Sequence, residues 1–192
     1  MDTKLQIERI LAGDRVAFQT LVEDYQRLVS HIVFRMVSVK EDREDICQDV
    51  FLRIYQNLGE FRSESKLSTW IARIAYNACL NHLEKRKLVP LEEFSLTEQS
   101  VEGFLEKGRR PDEITGEKEM GMLLENEISR MPVTFRTILT LYHLDEMSYA
   151  QIAEVMGLPE GTVKSYLFRA VRKLQKELGG RAGVTGLEAS HE

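Results

Sequence analysis

The chain has 192 residues, 43% hydrophobic and 30% charged, with a formal net charge of −5. No apolar run approaches the ~18 residues of a membrane span, and the opening MDTKLQIERI lacks the apolar centre of a signal peptide. Cys47 and Cys79 both fall in helix-like patterns, so a reducing, cytoplasmic setting is expected rather than a disulfide framework. A net negative charge argues against nucleic-acid binding by the whole surface, but a single module can still carry a basic face.

In chain order, Ile7, Ile10 and Leu11 begin a helical stripe that breaks at Gly13-Asp14, where Asp14 is a candidate cap. Ala17, Phe18, Leu21, Val22, Tyr25, Leu28, Val29, Ile32, Val33 and Met36 then recur every three or four residues, which predicts one long amphipathic helix. A second helix is expected from about Arg43 to Leu58 and a third from Ser68 or Thr69 to Lys85, with GEFRSESKLS between them ending in a Ser cap. Within the third helix, Leu67, Ile71, Ile74 and Ala78 make an apolar stripe, and Trp70, Arg73, Asn77 and Asn81 make a separate one. Residues 91–120 carry 4 basic and 9 acidic side chains, and the stretch around them holds two prolines and three glycines without apolar periodicity. It reads as a linker.

Beyond it, helices are expected near 117–130, 133–143, 149–156 and 160–177, with Pro132 in a first helical turn and Ser148 as a cap. No strand-like alternation or internal repeat is evident. The expectation is an all-α chain of two small helical domains, 1–90 and 115–178, with a linker over 91–114 and a frayed tail over 179–192.

SYAQIAEVMGLPEGTVKSYLFRAV has helix-turn-helix spacing: a small Ala153 where two helices cross, Gly157 for a left-handed turn, and Val163 to pack the second helix on the first. The second helix holds five basic residues and no acid over 161–176. Its outward face is expected to present Lys164, Ser165, Tyr166, Phe168, Arg169, Arg172 and Lys173, a mixture of phosphate-binding charges and groups that reach base edges or thymine methyls. Phe168 and Tyr166 are equally placed to enter the core, and Lys173 and Lys176 to complement the helix dipole.

Four segments, GDRVAFQTLVEDY, DICQDVFLRIY, FRSESKLSTWIARIAYNACLNHL and MSYAQIAEVMGLPEGTVKSYLFRAVRKL, together resemble the extracytoplasmic-function sigma factors of bacteria, of the sigma-E-like kind, in the right order and with the right gap. The resemblance implies a sigma region 2 helical bundle that binds core RNA polymerase and melts the −10 element, and a sigma region 4 helix-turn-helix that reads the −35 element. It assigns Asp45, Gln48 and Asp49 to a coiled coil on the largest polymerase subunit; the three share one helical face opposite the Ile46, Val50 and Ile54 stripe. It assigns the loop Phe61, Arg62, Ser63, Lys66 and Ser68 to capture of a flipped base. Trp70, Arg73, Asn77 and Asn81 are assigned to single-stranded −10 DNA, an aromatic, a cation and amides being what unpaired bases call for. Trp70 also suits the core, and EKRK at 84–87 suits either phosphates or a basic helix end.

The −35 contacts implied are Thr162, Lys164, Ser165, Tyr166, Phe168, Arg169 and Arg172. Relatives often carry Arg where Lys164 and Tyr166 stand, and Lys lacks the bidentate guanine contact, so the −35 sequence stays open. The family also implies an anti-sigma factor as inhibitory partner. No nucleophile, base and orienting group form a set and no phosphate-cradling glycine loop is present, so neither catalysis nor a cofactor is expected. Cys79 and His82, three apart, are a weak metal or redox pair. An autonomous DNA-binding regulator and a helical adaptor are the competing classes. The first predicts tight duplex binding without polymerase, and the second leaves the basic helix unexplained.

Overall fold

The computed structural model describes residues 3–86 and 117–178. Among them every regular element is a helix. α1 spans Thr3–Leu11, α2 Arg15–Met36, α3 Lys40–Asn57 and α4 Leu67–Lys85, with a single 3-10 turn at Leu58–Glu60. α5 spans Glu117–Ser129, α6 Val133–His143, α7 Tyr149–Met156 and α8 Glu160–Glu177. The expected linker, 91–114, and tail, 179–192, lie outside the described residues.

The local signals explain most boundaries. Asp14 accepts from the backbone N–H of Val16 and Ala17 at 3.0 Å, which satisfies two of the orphan donors of α2. These bonds and the Arg9 guanidinium hold its carboxyl below the usual range. Ser148 caps α7 in a reciprocal box with Gln151. Gly157 ends α7 at φ 66°, and a Cβ there would meet no atom within 4 Å, so the backbone conformation alone calls for glycine.

Three boundary expectations need correction. α3 starts at Lys40 rather than Arg43, because Glu41 and Asp42 favour a helix N-terminus, while Arg43 reaches back to the Val37 carbonyl at 2.8 Å. α4 starts at Leu67 with Lys66 in the cap position and no side-chain cap, so Ser68 is inside the helix rather than capping it. Pro132 is itself the N-cap of α6 with extended ψ of 145°, one residue before the first turn.

α2 is the central element, packed by α1, α3, α4 and α6. Its Leu21, Val29, Ile32, Val33 and Met36 are fully buried, as are Phe135, Ile138 and Leu141 of α6, and the apolar core runs through both groups. α8 lies against α5, α6 and α7. The two helical groups therefore touch directly, α2 against α6 and α4 against α7.

Candidate partner and nucleic-acid interfaces

On α3 the periodicity holds: Ile46, Val50 and Ile54 are buried while Asp45 and Gln48 are exposed. Asp49 is half-buried and accepts from Arg53 one turn on at 2.8 Å, so the acidic face carries its own counter-ion. Beside this face lies a groove of about 740 Å³ between α2 and α3, walled by Phe18 and Val22 on one side and by Gln48, Phe51, Leu52 and Tyr55 on the other. Leu52 is 54% exposed, and Tyr55, also exposed, meets Phe18 edge-on at 4.9 Å. Sequence reasoning assigned one apolar stripe to α3 and missed Phe51, Leu52 and Tyr55. The signal was there, since apolar residues at 47, 51, 52 and 55 fall off the buried stripe and leave a second face without cover.

The second constellation sits at the start of α4. Phe61 and Trp70 pack at 5.5 Å between ring centroids, and both are half-buried against the core. Trp70 thus serves the core with one side while its rim stays accessible. Arg62, Ser63 and Lys66 are exposed and Ser68 is half-buried. Ser63 has φ 57°, an unfavourable left-handed conformation for a residue with a Cβ, at the tip of the loop. Arg73, Asn77 and Asn81 are all exposed and four residues apart, so they form one line along α4.

The expected buried stripe is confirmed at Leu67, Ile71 and Ala78, whereas Ile74 is only half-buried. A second buried set, Thr69, Ala72 and Tyr76, was not foreseen, and it arises because α7 covers that side of α4. Arg86 of the EKRK run donates to Asp42 at 2.8 Å, which ties that basic end to α3. Cys79 is fully buried, and burial pushes its thiol up to about 12, while His82 lies 3.4 Å from Asp42.

The helix-turn-helix forms as spaced, with Val163 fully buried and Ala153 packed against the core. On α8, Lys164, Ser165, Phe168 and Arg172 are exposed, and Thr162 and Arg169 are half-buried. Phe168 is 47% exposed with the Arg172 guanidinium over its ring, so the alternative of a core Phe168 is excluded. Lys164 pairs with Glu160 at 3.0 Å and sits over the Tyr149 ring.

Two expected outward residues face inward. Tyr166 is 9% exposed and packs on Phe135 with ring centroids 5.4 Å apart. Lys173 is 6% exposed and pairs with the equally buried Glu177 at 2.9 Å. The cause is coverage: three helices lie on α8, so a second buried line through Tyr166, Ala170, Lys173 and Glu177 accompanies Val163, Leu167, Val171 and Leu174.

Comparison with known proteins bears on both helical groups. The Sigma-70 region 2 family matches residues 21–89, and the Sigma-70, region 4 family matches residues 121–174. The RNA polymerase sigma-H factor of Pseudomonas aeruginosa is 34% identical over 90% of this chain and 91% of that protein. The ECF RNA polymerase sigma factor SigW of Bacillus subtilis is 30% identical over 93% and 97%. The ECF sigma-E factor of Escherichia coli K12 is 34% identical over 85% and 87%.

Two solved structures share the fold at lower identity. CnrH, solved in complex with the cytosolic domain of CnrY, has a TM-score of 0.63 at 17% identity, covering 93% of this chain and 97% of that one. RpoE of Bartonella quintana, solved with the anti-sigma factor NepR, has a TM-score of 0.63 at 21% identity, covering 84% and 96%. With both motif-bearing groups matched and relatives at 30–34% identity over most of its length, the chain belongs to the extracytoplasmic-function sigma factors, which bind core RNA polymerase and direct promoter-specific initiation of transcription.

Proposed function

We propose a division of labour among named residues within that role. Asp45, Gln48 and Asp49, with the neighbouring groove formed by Phe51, Leu52 and Tyr55, seat core polymerase. Phe61, Arg62, Ser63, Lys66, Ser68, Trp70, Arg73, Asn77 and Asn81 hold the melted −10 strand. Thr162, Lys164, Ser165, Phe168, Arg169 and Arg172 read the −35 duplex, while Tyr166 supports that helix from inside. The observation that carries this reading is the exposed line Arg73, Asn77 and Asn81 beside the half-buried Trp70. On a helix otherwise buried on most sides, a line of one cation and two amides next to an aromatic rim suits unpaired bases better than it suits solvent alone.

Residues 1–90 and 115–178 are the corresponding functional units. The chain works in the cytoplasm as a subunit and performs no chemistry of its own; no described helix is long and apolar enough to cross a membrane. Like RpoE of Bartonella quintana, which was solved with the anti-sigma factor NepR, it is held inactive by an anti-sigma factor.

Run-off transcription and pull-down with bacterial core polymerase test the assignment. Asp49→Arg is expected to weaken core binding at least about tenfold, because it reverses charge on the α3 face and abolishes the pair with Arg53. Wild-type pull-down by that variant with an unchanged melting curve would remove the α3 assignment.

A further inference from the structure

α7 and α8 meet at an aromatic corner that fixes one side chain of the assigned −35 face. Tyr142, near the end of α6, and Tyr149, the first residue of α7, stack with ring centroids 5.3 Å apart and planes 7° from parallel. The His143 ring meets Tyr142 edge-on at 4.9 Å, and both tyrosines are half-buried against the core. Tyr149 is therefore braced from behind. Burial, and after it a hydrogen bond with Tyr142, pushes the Tyr149 hydroxyl up to about 12, so the platform is uncharged at neutral pH. Burial also lowers His143, which favours its neutral form.

Lys164, in the second turn of α8, lies across this platform. Its ammonium is 5.3 Å from the Tyr149 ring centroid and 3.0 Å from the Glu160 carboxylate one turn before. A cation within about 6 Å of a ring face is attracted by the ring's quadrupole. The two contacts draw the Lys164 head toward the start of α7, yet its side chain stays 55% exposed and can still be reached by a ligand. In a helix-turn-helix the first helix crosses the DNA backbone and the second enters the major groove. A cation leaning from α8 onto the first residue of α7 thus lies on the backbone side of the face. Lysine suits that place, since its compact ammonium serves phosphate as a point charge and lacks the forked guanine contact of arginine.

We propose that Tyr149, braced by Tyr142, is a positioning residue for promoter binding: it holds the Lys164 ammonium at the α7 side of α8, where Lys164 binds a −35 backbone phosphate and leaves base reading to other side chains of the face. This rests on the −35 role of α8 proposed above. Phosphate displaces the Glu160 carboxylate, an exposed partner whose loss costs little. Position 164 then contributes affinity and salt dependence but no sequence preference.

The test uses the full chain assembled with core polymerase. The DNA is a promoter selected by the wild-type holoenzyme from a pool randomised over the −35 element, together with a panel in which one −35 base pair is changed at a time. Lys164→Ala should lower occupancy by one common factor, about three- to tenfold at low salt, on every member and flatten the salt dependence by about one unit. Tyr149→Leu should cost about two- to fivefold, again alike on every member, and nothing further in a chain that already carries Lys164→Ala. Tyr149→Phe, which keeps the ring, should bind as wild type does. In the free wild-type chain, proton resonances of the Lys164 ε-methylene should lie upfield of the usual lysine position, shifted by the Tyr149 ring, which needs no variant to fold. A Lys164→Ala loss that vanishes on one member of the panel makes Lys164 a base reader and overturns the proposal. An unshifted Lys164, or a Tyr149→Leu loss that persists in full beside Lys164→Ala at an unchanged melting temperature, overturns the positioning role of Tyr149. Wild-type occupancy indifferent to every −35 change would refute the −35 role itself and the proposal with it.

Discussion

α4 and α8 carry the two faces assigned above to nucleic acid, yet they are held in different ways. α4 is packed by α2, α3 and α7, and among its assigned residues only the line Arg73, Asn77 and Asn81 is fully outside. α8 is packed by α5, α6 and α7 of its own helical group and presents a broader face with charge, hydroxyl and aromatic groups side by side. On α4 the exposed line is narrow because most of the helix is packed. A wide basic face mixes outward residues with residues that hold the fold, and only coverage by neighbouring helices separates them.

The sharpest way to break this comparison is inside α8. Tyr166→Ala removes an aromatic ring packed on Phe135 and should cost about 3 kcal/mol of stability, measured by denaturant unfolding. Phe168→Ala, two residues on, should leave stability within about 0.5 kcal/mol and lower transcription instead. If both variants behaved alike in both assays, the inside and outside faces of α8 would have been wrongly divided.

Next in size is the contrast between specific and general contacts. Arg169→Ala should cost about 1–3 kcal/mol at a cognate −35 element and little on a scrambled one, whereas Lys176→Ala should weaken both alike and flatten the salt dependence by about one unit. Titration of both variants at two salt concentrations distinguishes them.

On α4 the corresponding variant is Asn77→Ala. It should lower permanganate reactivity of −10 thymines by about tenfold while leaving closed-complex formation and the melting temperature unchanged, since Asn77 is exposed. Trp70→Ala should lower both opening and stability, as befits a ring shared between core and rim.

The smallest effect sharpens the role of the helix-turn-helix frame. Ser148→Ala removes one half of the α7 capping box and should cost about 1 kcal/mol. Calorimetry of the intact chain measures it.

These contrasts also show what the chain's own sequence made legible. Asp14, Ser148 and Gly157 announced their caps because each residue type satisfies a local backbone demand, and local demands are visible one residue at a time. On α4 the exposed line Arg73, Asn77 and Asn81 was readable through its period of three to four residues, whereas the buried set Thr69, Ala72 and Tyr76 was not. Tyr166 and Lys173 were misjudged because their burial depends on α5 and α6 crossing α8, a fact of tertiary packing to which periodicity along one helix is blind. The groove of Phe51, Leu52 and Tyr55 was overlooked for a related reason: one stripe sufficed to explain α3 as a bundle helix, and the surplus apolar residues were not counted. The contacts of His31 with Asp145 and of Arg35 with Glu125 join positions about a hundred residues apart, and nothing in either local pattern points to the other.

Cys47 gives the groove a property of its own. It stands half-buried in the α3 wall, with burial raising its thiol above the ordinary value, while Cys79 is sealed in the core. The thiolate is the reactive form, so alkylation of Cys47 should be slow at neutral pH and quicken in alkali, whereas Cys79 should stay silent until the bundle unfolds. The unaltered protein thus carries a one-residue footprinting reporter in the groove assigned to polymerase: bound core enzyme should shield Cys47 from a small alkylating reagent, and global unfolding alone should reveal Cys79.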